Sequence, residues 1–352
     1  CARLCHAGSV TGLQLAIGSS AMSNSIAEME NLDTFIVTGS NTTETHPVIS
    51  LFLKKAVRKK GAKLIVIDPR QIELTEFATL WLRQKPGTDV AVYQAMANVV
   101  VTEKLYNREF IEQRTEGFDE YIESLEHCTP EWAEEISGVP AEDTRQAARL
   151  YATADRAAFY WGMGISQSVH GTDNTLSITN LALMCGHAGK PGTGLNPLRG
   201  QNNVQGCSDS GGLPNVYTAY QSVSDPDIQH KFESAWHTTL SDSPGLTVTE
   251  MVDGALMGQI KAMVVMGENP MMSEPNLSHA QHAIEALDLL VCIDIFMNET
   301  GEMADVILPS ASFAEKDGTF TNSDRRIQRV RQALPAVGDS LPDWQIVCQL
   351  AK

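Results

Sequence analysis

Short apolar runs that end in glycine, asparagine or aspartate occur in both halves of the chain in the same order. In the first half, Thr34–Thr38 is a β-branched run followed by Gly39, and Lys63–Ile67 is a second run that ends on Asp68. Between them, residues 46–60 have the apolar spacing of a helix that stops at a glycine. A strand, a helix and a strand at this spacing predict a parallel βαβ unit.

The second half repeats this order. Ala262–Met266 is followed by Gly267, and a later apolar run over residues 290–294 ends on Asp294. The step from glycine to aspartate is 29 residues in the first half and 27 in the second. Each half then has a further apolar run and a Gly-Thr pair, within Lys-Pro-Gly-Thr at 85–88 and Lys-Asp-Gly-Thr at 316–319.

Glycine turns and carboxylates at the carboxyl ends of parallel strands are typical of nucleotide-binding sheets. We therefore expect an α/β protein with two doubly wound, Rossmann-like domains related by an internal repeat, each with one nucleotide-bearing ligand. Neither half has a complete Gly-x-Gly-x-x-Gly fingerprint after its first strand, which argues against an ordinary NAD-dependent dehydrogenase.

Outside the repeat, helices are predicted over residues 89–104, 141–154 and 174–185, and a strand over Ala157–Trp161. The stretch 189–212 differs, because seven glycines alternate with amide side chains around Arg199 without helical or strand periodicity. Long loops of this kind usually line a site. We place the domain boundary within it, which gives domains over residues 1–201 and 202–352.

Composition excludes some classes of protein. A net charge of -17 argues against a nucleic-acid surface, and no apolar run is long enough to span a membrane. The seven cysteines are scattered, which favours a reducing compartment and predicts a cytoplasmic location. Because the chain starts at Cys1 without a Met and stops within a predicted helix, we expect it to be part of a longer protein.

Cysteine and histidine stand together at Cys5 and His6. A thiolate is a soft ligand for transition metals, and an imidazole exchanges a proton near neutral pH. Such a pair is also common in ordinary cores, so its significance depends on the motifs that accompany it. These are Asp-Pro-Arg at 68–70, Gly-Met-Gly at 162–164 and Leu-Arg-Gly-Gln-Asn-Asn-Val-Gln-Gly at 198–206.

Together these motifs resemble the molybdenum or tungsten formate dehydrogenases, which are bis-molybdopterin guanine dinucleotide oxidoreductases, and the resemblance runs essentially end to end. It implies two pterin guanine dinucleotides, in agreement with the repeat. It also implies that Cys5 is the protein ligand of molybdenum or tungsten, and that His6 marks the formate branch. Arg199 would bind formate through its planar guanidinium. Hydrogen would leave as a hydride or as a proton accepted near His6, and the residues do not decide between these.

The resemblance also assigns residues to the cofactors. One guanosine end would contact Asp68, Arg70, Gly87 and Asp89, with Gly39, Asn41 and Glu44 nearby. The other dinucleotide would be held by Gly267, Glu268, Asn269, Asp294 and Thr300. Close to the metal would lie Gly162, Met163, Gly164 and Gln201. Cys1 would be structural, because the cysteines of the family's [4Fe-4S] cluster lie in an N-terminal domain that this chain does not contain.

Several partners follow from the resemblance. The intact enzyme would add the N-terminal cluster domain, a C-terminal pterin-binding domain, and an iron-sulfur or flavin subunit that takes the electrons of formate oxidation to CO2. The chain alone would then be inactive. Two alternatives stay open, a nitrate reductase-like molybdopterin oxidoreductase and a non-catalytic fragment that binds a cofactor or acts as a scaffold. His6 and the Arg199 loop favour formate.

Overall fold

The computed structural model describes residues 5–352, so the role predicted for Cys1 falls outside the described residues. The chain forms two compact units. The first extends to Gln205 and includes Thr321–Arg326, and the second comprises Gly206–Phe320 and Ile327–Lys352. The division lies at Gln205 rather than at residue 201, and nothing in the sequence pattern indicated the return of residues 321–326 to the first unit.

A parallel sheet of five strands forms the centre of the first unit. Its strands are β1 (Thr34–Thr38), β2 (Lys63–Ile67), β3 (Leu80–Leu82), β4 (Ala157–Trp161) and β5 (Gly194–Pro197). Their order is β3-β2-β1-β4-β5, and every pairing is parallel. The strand order reverses between β1 and β4, which is the switch point of a doubly wound sheet, where ligands of such folds bind.

Helices cover both faces of this sheet. In chain order they are α1 (Ala7–Ile17), α2 (Thr42–Thr45), α3 (Pro47–Lys60), α4 (Asp89–Thr102), α5 (Arg108–Arg114), α6 (Phe118–Ser124), α7 (Pro130–Ser137), α8 (Ala141–Ala152), α9 (Met163–Ser166) and α10 (Gly171–Met184), with 3-10 turns at Ile26–Asn31 and Glu73–Phe77. The next helix, α11 (Val204–Asp209), begins in this unit and continues into the second. Alternate residues of the strands enter two cores. Ile36 and Phe159 belong to one core, and Phe35 and Tyr160 belong to the other. Burial on both faces explains why β1 and β4 consist of buried residues throughout.

Local signals set most helix ends. Pro47 begins α3, and Gly61 ends it with a φ of 72°. The prediction for residues 189–212 was wrong in part, because β5 and α11 lie within that stretch. β5 reads Gly-Leu-Asn-Pro and is buried on both faces, so it lacks the alternation by which a strand is recognised.

The second unit contains a smaller parallel sheet. Its strands β8 (Ala262–Met266), β9 (Leu289–Asp294) and β10 (Val306–Pro309) follow the order β10-β9-β8. This matches β3-β2-β1 of the first unit, so the predicted α/β fold with a repeated parallel sheet is confirmed. The short pairs are β6 (Val216–Tyr217) with β7 (Gln221–Ser222), and β11 (Gly318–Thr321) with β12 (Ile327–Val330).

Its helices are α12 (Pro226–Trp236), α13 (Val248–Leu256), α14 (Pro270–Ser273), α15 (Leu277–Glu285), α16 (Glu299–Glu302) and α17 (Asp343–Leu350), with 3-10 turns at Thr218–Tyr220 and Phe313–Glu315. One element of the repeat differs between the units. Gly87 has a φ of 84° in the turn that enters α4, whereas Gly318 begins the extended strand β11.

Within residues 5–352, no helix combines the length and apolarity needed to cross a membrane.

The closest backbone approach at the switch point joins two glycines. Gly39 follows β1 with a φ of 54°, and its carbonyl accepts the N–H of Gly164 at 3.0 Å. A Cβ atom on Gly39 would lie 2.9 Å from the backbone nitrogen of Ile165. This position therefore requires glycine both for its conformation and for its space.

We expect Gly39→Ala to lower the free energy of unfolding by about 2 to 4 kcal/mol, because conformational strain and a backbone clash add. Gly61→Ala is the matched control. Its φ is 72° with no atom within 4 Å of the added Cβ, so strain alone should cost about 1 kcal/mol. Equilibrium urea unfolding of both variants measures the difference, and equal losses would contradict the close approach.

Candidate active site

The Cys5 thiol is buried where the ends of three elements meet. Cys5 directly precedes His6, the N-cap residue of α1, and is 4% exposed. Its Sγ donates to Gln201 Oε1 at 3.0 Å and lies 3.6 Å from Met163 Sδ. A Cβ on Gly200 would be 3.7 Å from this sulfur. The structure thus brings together side chains from the start of α1, the end of β4 and the loop after β5.

Opposing effects act on this thiol. Burial raises the pKa of Cys5, while the Gly200 N–H and the positive charge of Arg199 lower it. The thiolate is the form that binds metals. A bound metal cation would stabilise the negative charge of the thiolate, which burial alone disfavours.

His6 is almost completely buried and neutral. Burial, Arg199 and His46 lower its pKa to about 3. Its Nε2 accepts the N–H of Gly200 at 3.3 Å, so the neutral ring carries its hydrogen on Nδ1. Nδ1 is buried and has no hydrogen-bond partner among residues 5–352. It is therefore the ring atom left for a bound group.

The Arg199 side chain, 9% exposed, follows β5. Its Nε donates to Gln205 Oε1 at 3.2 Å and its Nη2 to the Ser20 carbonyl at 2.7 Å. Both of these acceptors are neutral. Its main chain is held as well, because its N–H donates to Ser323 Oγ at 3.1 Å and its carbonyl accepts His46 Nε2–H at 2.6 Å. Sequence reasoning missed these four partners.

A cavity of about 310 Å³ opens beyond the carboxyl ends of β1, β2 and β3. It collects most of the residues predicted for the first guanosine end. Those residues are Gly39, Asn41, Asp68, Arg70, Gly87 and Asp89, and they are joined by Gly164, Gln84, Pro69, Ile72 and Pro86. Glu44, predicted nearby, lies exposed on α2. Gly162 directly follows β4, and its N–H donates to the Thr38 carbonyl at 3.4 Å.

This cavity is rich in hydrogen-bond acceptors. Burial raises the pKa of both Asp68 and Asp89, and the charge of Asp68 raises that of Asp89 further. Gln84 Nε2 donates to Asp89 Oδ1 at 2.8 Å. Gln84 Oε1 and Asn41 Oδ1 are buried without a partner within the described part of the chain. Buried acceptors in this state favour a ligand that presents N–H donors. Gln84 was not predicted, although it stands between β3 and the Gly87 turn.

The residues predicted for the other dinucleotide lie at the carboxyl ends of β8 and β9. Asn269 Oδ1 accepts from Thr300 Oγ1 at 2.7 Å, and Thr300 is completely buried. Gly267 has a φ of 61°, and Glu268 Oε1 accepts from Ser273 Oγ at 3.4 Å. Asp294 accepts hydrogen bonds from its own loop, at Oδ1 from the Ile295 N–H and at Oδ2 from Asn298. Asn269 and Thr300 are therefore hydrogen-bonded to each other, and Asp294 is held by groups of its own loop.

A protein-only metal centre is missing from the described residues. Within 5–352, no group of three or more His, Cys, Asp and Glu side chains could hold a metal ion. A metal at Cys5 would accordingly need most of its ligands from a bound cofactor. The single buried thiol and the acceptor-rich cavity fit a cofactor of that kind.

Comparison with known proteins identifies relatives over the whole chain. The chain is 47% identical over 352 residues to the F420-dependent formate dehydrogenase 1 subunit alpha of Methanococcus maripaludis and covers 52% of that protein. It is 44% identical over 352 residues to formate dehydrogenase H of Escherichia coli, covering all of this chain and 49% of that protein. The chain thus spans about half the length of these relatives.

A solved structure agrees with the fold. Acetylene hydratase from Pelobacter acetylenicus superposes with a TM-score of 0.77 at 21% identity, over 98% of this chain and 49% of the other. The family model for molybdopterin oxidoreductases matches residues 1–352. The predicted relationship is therefore confirmed, and the chain belongs to the molybdopterin oxidoreductase family.

Proposed function

We propose that this chain is part of the catalytic subunit of a formate dehydrogenase, which oxidises formate to CO2. The observation that carries the proposal is that a buried thiol, Cys5, lies beside the Gly200 backbone, where the charge of a buried guanidinium, Arg199, acts on it. The names of the two relatives, both formate dehydrogenases, support this substrate.

The cofactor that fits these residues is a molybdenum or tungsten ion with two molybdopterin guanine dinucleotides. Cys5 would be the protein ligand, with Met163 and Gln201 beside it. When bound, the metal centre supplies an acceptor for the two electrons of formate. We propose that these electrons leave through a [4Fe-4S] cluster outside this chain to an iron-sulfur or flavin subunit.

Arg199 would bind and orient the substrate. Formate is a small anion, and a guanidinium holds a carboxylate in a plane through two N–H donors. Nε and Nη2 already donate to Gln205 and Ser20, so formate would replace a present partner, such as Gln205 at Nε. Burial of the arginine strengthens its attraction for an anion. Neutral His6 would keep its hydrogen at Nδ1, beside the bound group, without adding a charge.

The guanine base would occupy the 310 Å³ cavity. Guanine presents N1–H and the N2 amino group along one edge, and a carboxylate accepts from both at once. Asp89 and Asp68 supply buried carboxylates, and Gln84 Oε1 and Asn41 Oδ1 supply further acceptors. The corresponding edge of adenine lacks this pair of donors, so the cavity favours guanine. Gly267, Glu268, Asn269, Asp294 and Thr300 would hold the second dinucleotide.

Cys5→Ala should abolish formate oxidation, by about 1,000-fold or more, because the metal loses its protein ligand. The intact protein is expressed in a host that makes molybdopterin, and metal content and turnover are measured. Cys185→Ala is the control, since Cys185 is buried to a similar degree, 5% against 4%, and should retain turnover. A parent protein without molybdenum or tungsten would instead favour a non-catalytic scaffold, and turnover by Cys5→Ala would refute the ligand assignment.

Arg199→Lys should raise the KM for formate about 10- to 100-fold, because a point charge replaces the planar pair of donors. Steady-state kinetics at constant metal content give the value. Arg156→Lys, which changes a largely exposed arginine of the same unit, should leave KM unaltered. An unchanged KM in Arg199→Lys would exclude this residue as the carboxylate-binding group.

Asp89→Asn should reduce the occupancy of the first guanine dinucleotide site about tenfold, because an amide replaces an acceptor with a donor. GMP released by acid hydrolysis and quantified by chromatography reports occupancy. Glu120→Gln, which changes an exposed residue of α6 away from the cavity, serves as the control and should retain the parent content. Since two dinucleotides are proposed, the loss should approach half of the total GMP if the second site remains filled.

A further inference from the structure

Two histidines hold opposite ends of one peptide group. His46 Nε2–H donates to the Arg199 carbonyl at 2.6 Å, and the Gly200 N–H donates to His6 Nε2 at 3.3 Å. This carbonyl and this N–H belong to the same planar peptide unit, so the orientation of one fixes that of the other. The hydrogen bond from His46 therefore helps to direct the Gly200 N–H toward the His6 ring and the Cys5 sulfur.

We infer that His46 is a positioning residue, which acts on the site through the Arg199–Gly200 peptide. The inference rests on the proposed function only for its effect on formate. Glycine at position 200 permits the peptide to rotate, since no Cβ restricts its φ. A rotated peptide would turn a carbonyl oxygen toward His6 Nε2 and the thiolate, where three electron-rich atoms would repel one another. The hydrogen bond from His46 opposes this rotation by holding the carbonyl on the other side.

His46 is itself held in place. It is the N-cap residue of α3, directly before Pro47. Its Nδ1 lies 2.9 Å from Thr45 Oγ1, which donates to the Asn41 carbonyl at 3.1 Å. Asn41 lines the proposed guanine cavity. Thr45 therefore stands between the wall of this cavity and the His46 ring, and it keeps the ring in place beside the Arg199 carbonyl.

The Thr321–Arg326 segment also holds the loop that contains Arg199 and Gly200. Ser323 Oγ accepts the Arg199 N–H at 3.1 Å, and Asn203 Oδ1 accepts the Thr321 N–H at 2.9 Å. These bonds hold the loop from the Thr321–Arg326 segment, but neither contacts the Arg199–Gly200 peptide group. His46 bonds to the carbonyl of that group, and His6 and Cys5 interact with its N–H. Loss of His46 should therefore loosen the group while the loop as a whole stays attached.

Three variants of His46 test the inference in the intact enzyme. His46→Phe keeps a ring but removes the donor, whereas His46→Gln keeps an N–H donor at about the position of Nε2. His46→Asn keeps a good N-cap residue with an amide too short to reach the carbonyl, and it replaces His46→Phe if that variant unfolds. His170→Phe is the matched control, because His170 is the N-cap residue of α10 and lies beside Asp173.

Hydrogen exchange read by mass spectrometry over residues 198–204 is the primary measurement. His46→Phe and His46→Asn should exchange about tenfold faster there than the parent. His46→Gln and His170→Phe should match the parent. The formate KM should rise about tenfold in the two variants without a donor and recover in His46→Gln, with kcat changing less.

These readouts separate the two claims. If the metal-loaded parent does not oxidise formate, the proposed function fails, and hydrogen exchange still decides the role of His46. Equal exchange over 198–204 in the parent, His46→Phe and His46→Asn would overturn the inference, as would the same acceleration in His46→Gln. Faster exchange confined to the variants without a donor supports it.

Discussion

The contact between the backbones of Gly39 and Gly164 is the constraint on which the ligand-binding edge of the first unit depends. At the switch point, the chain leaves β1 and β4 toward opposite faces of the sheet, and the two glycines let the departing segments touch. A side chain on either would press them apart. The ends of β1, β2 and β3 then surround the guanine-sized cavity, while the ends of β4 and β5 meet α1 around Cys5.

Charge is distributed unevenly between these neighbouring regions. Around Cys5, burial suppresses negative charge on the thiol and positive charge on His6, and Arg199 adds a buried cation. The cavity instead holds Asp68 and Asp89, for which burial raises both pKa values. Under the proposed function, the first region would attract the anionic substrate, and the second would attract a base that offers N–H donors. The fold thus provides one region for an anion and a separate region for a base. Gly39 and Gly164 allow these two regions to be neighbours.

The repeated sheet could be predicted from sequence because its signals are local, whereas cavity residues such as Asn41, Arg70 and Asp89 were assigned through the family resemblance. β1, β2 and β4 are short β-branched or aromatic runs with glycine or aspartate after them, and parallel strands bring such ends to one edge. β5 could not be predicted, since its four buried residues carry no periodicity. The partners of Arg199 were missed for another reason. Ser20, His46, Gln205 and Ser323 are ordinary polar residues whose importance arises from contacts made only in the folded chain.

The Thr321–Arg326 segment has a consequence for how this protein folds during synthesis. The Ile26 N–H donates to Asp324 Oδ2 across 298 residues of chain, and Arg325 donates to the Ser23 carbonyl. The first unit therefore cannot complete its own structure when Gln205 has left the ribosome. It must wait with these backbone groups unsatisfied until nearly all of the second unit has been made, a delay that contacts distant in sequence impose on folding. The two units are thus interleaved along the chain and are not independent in time.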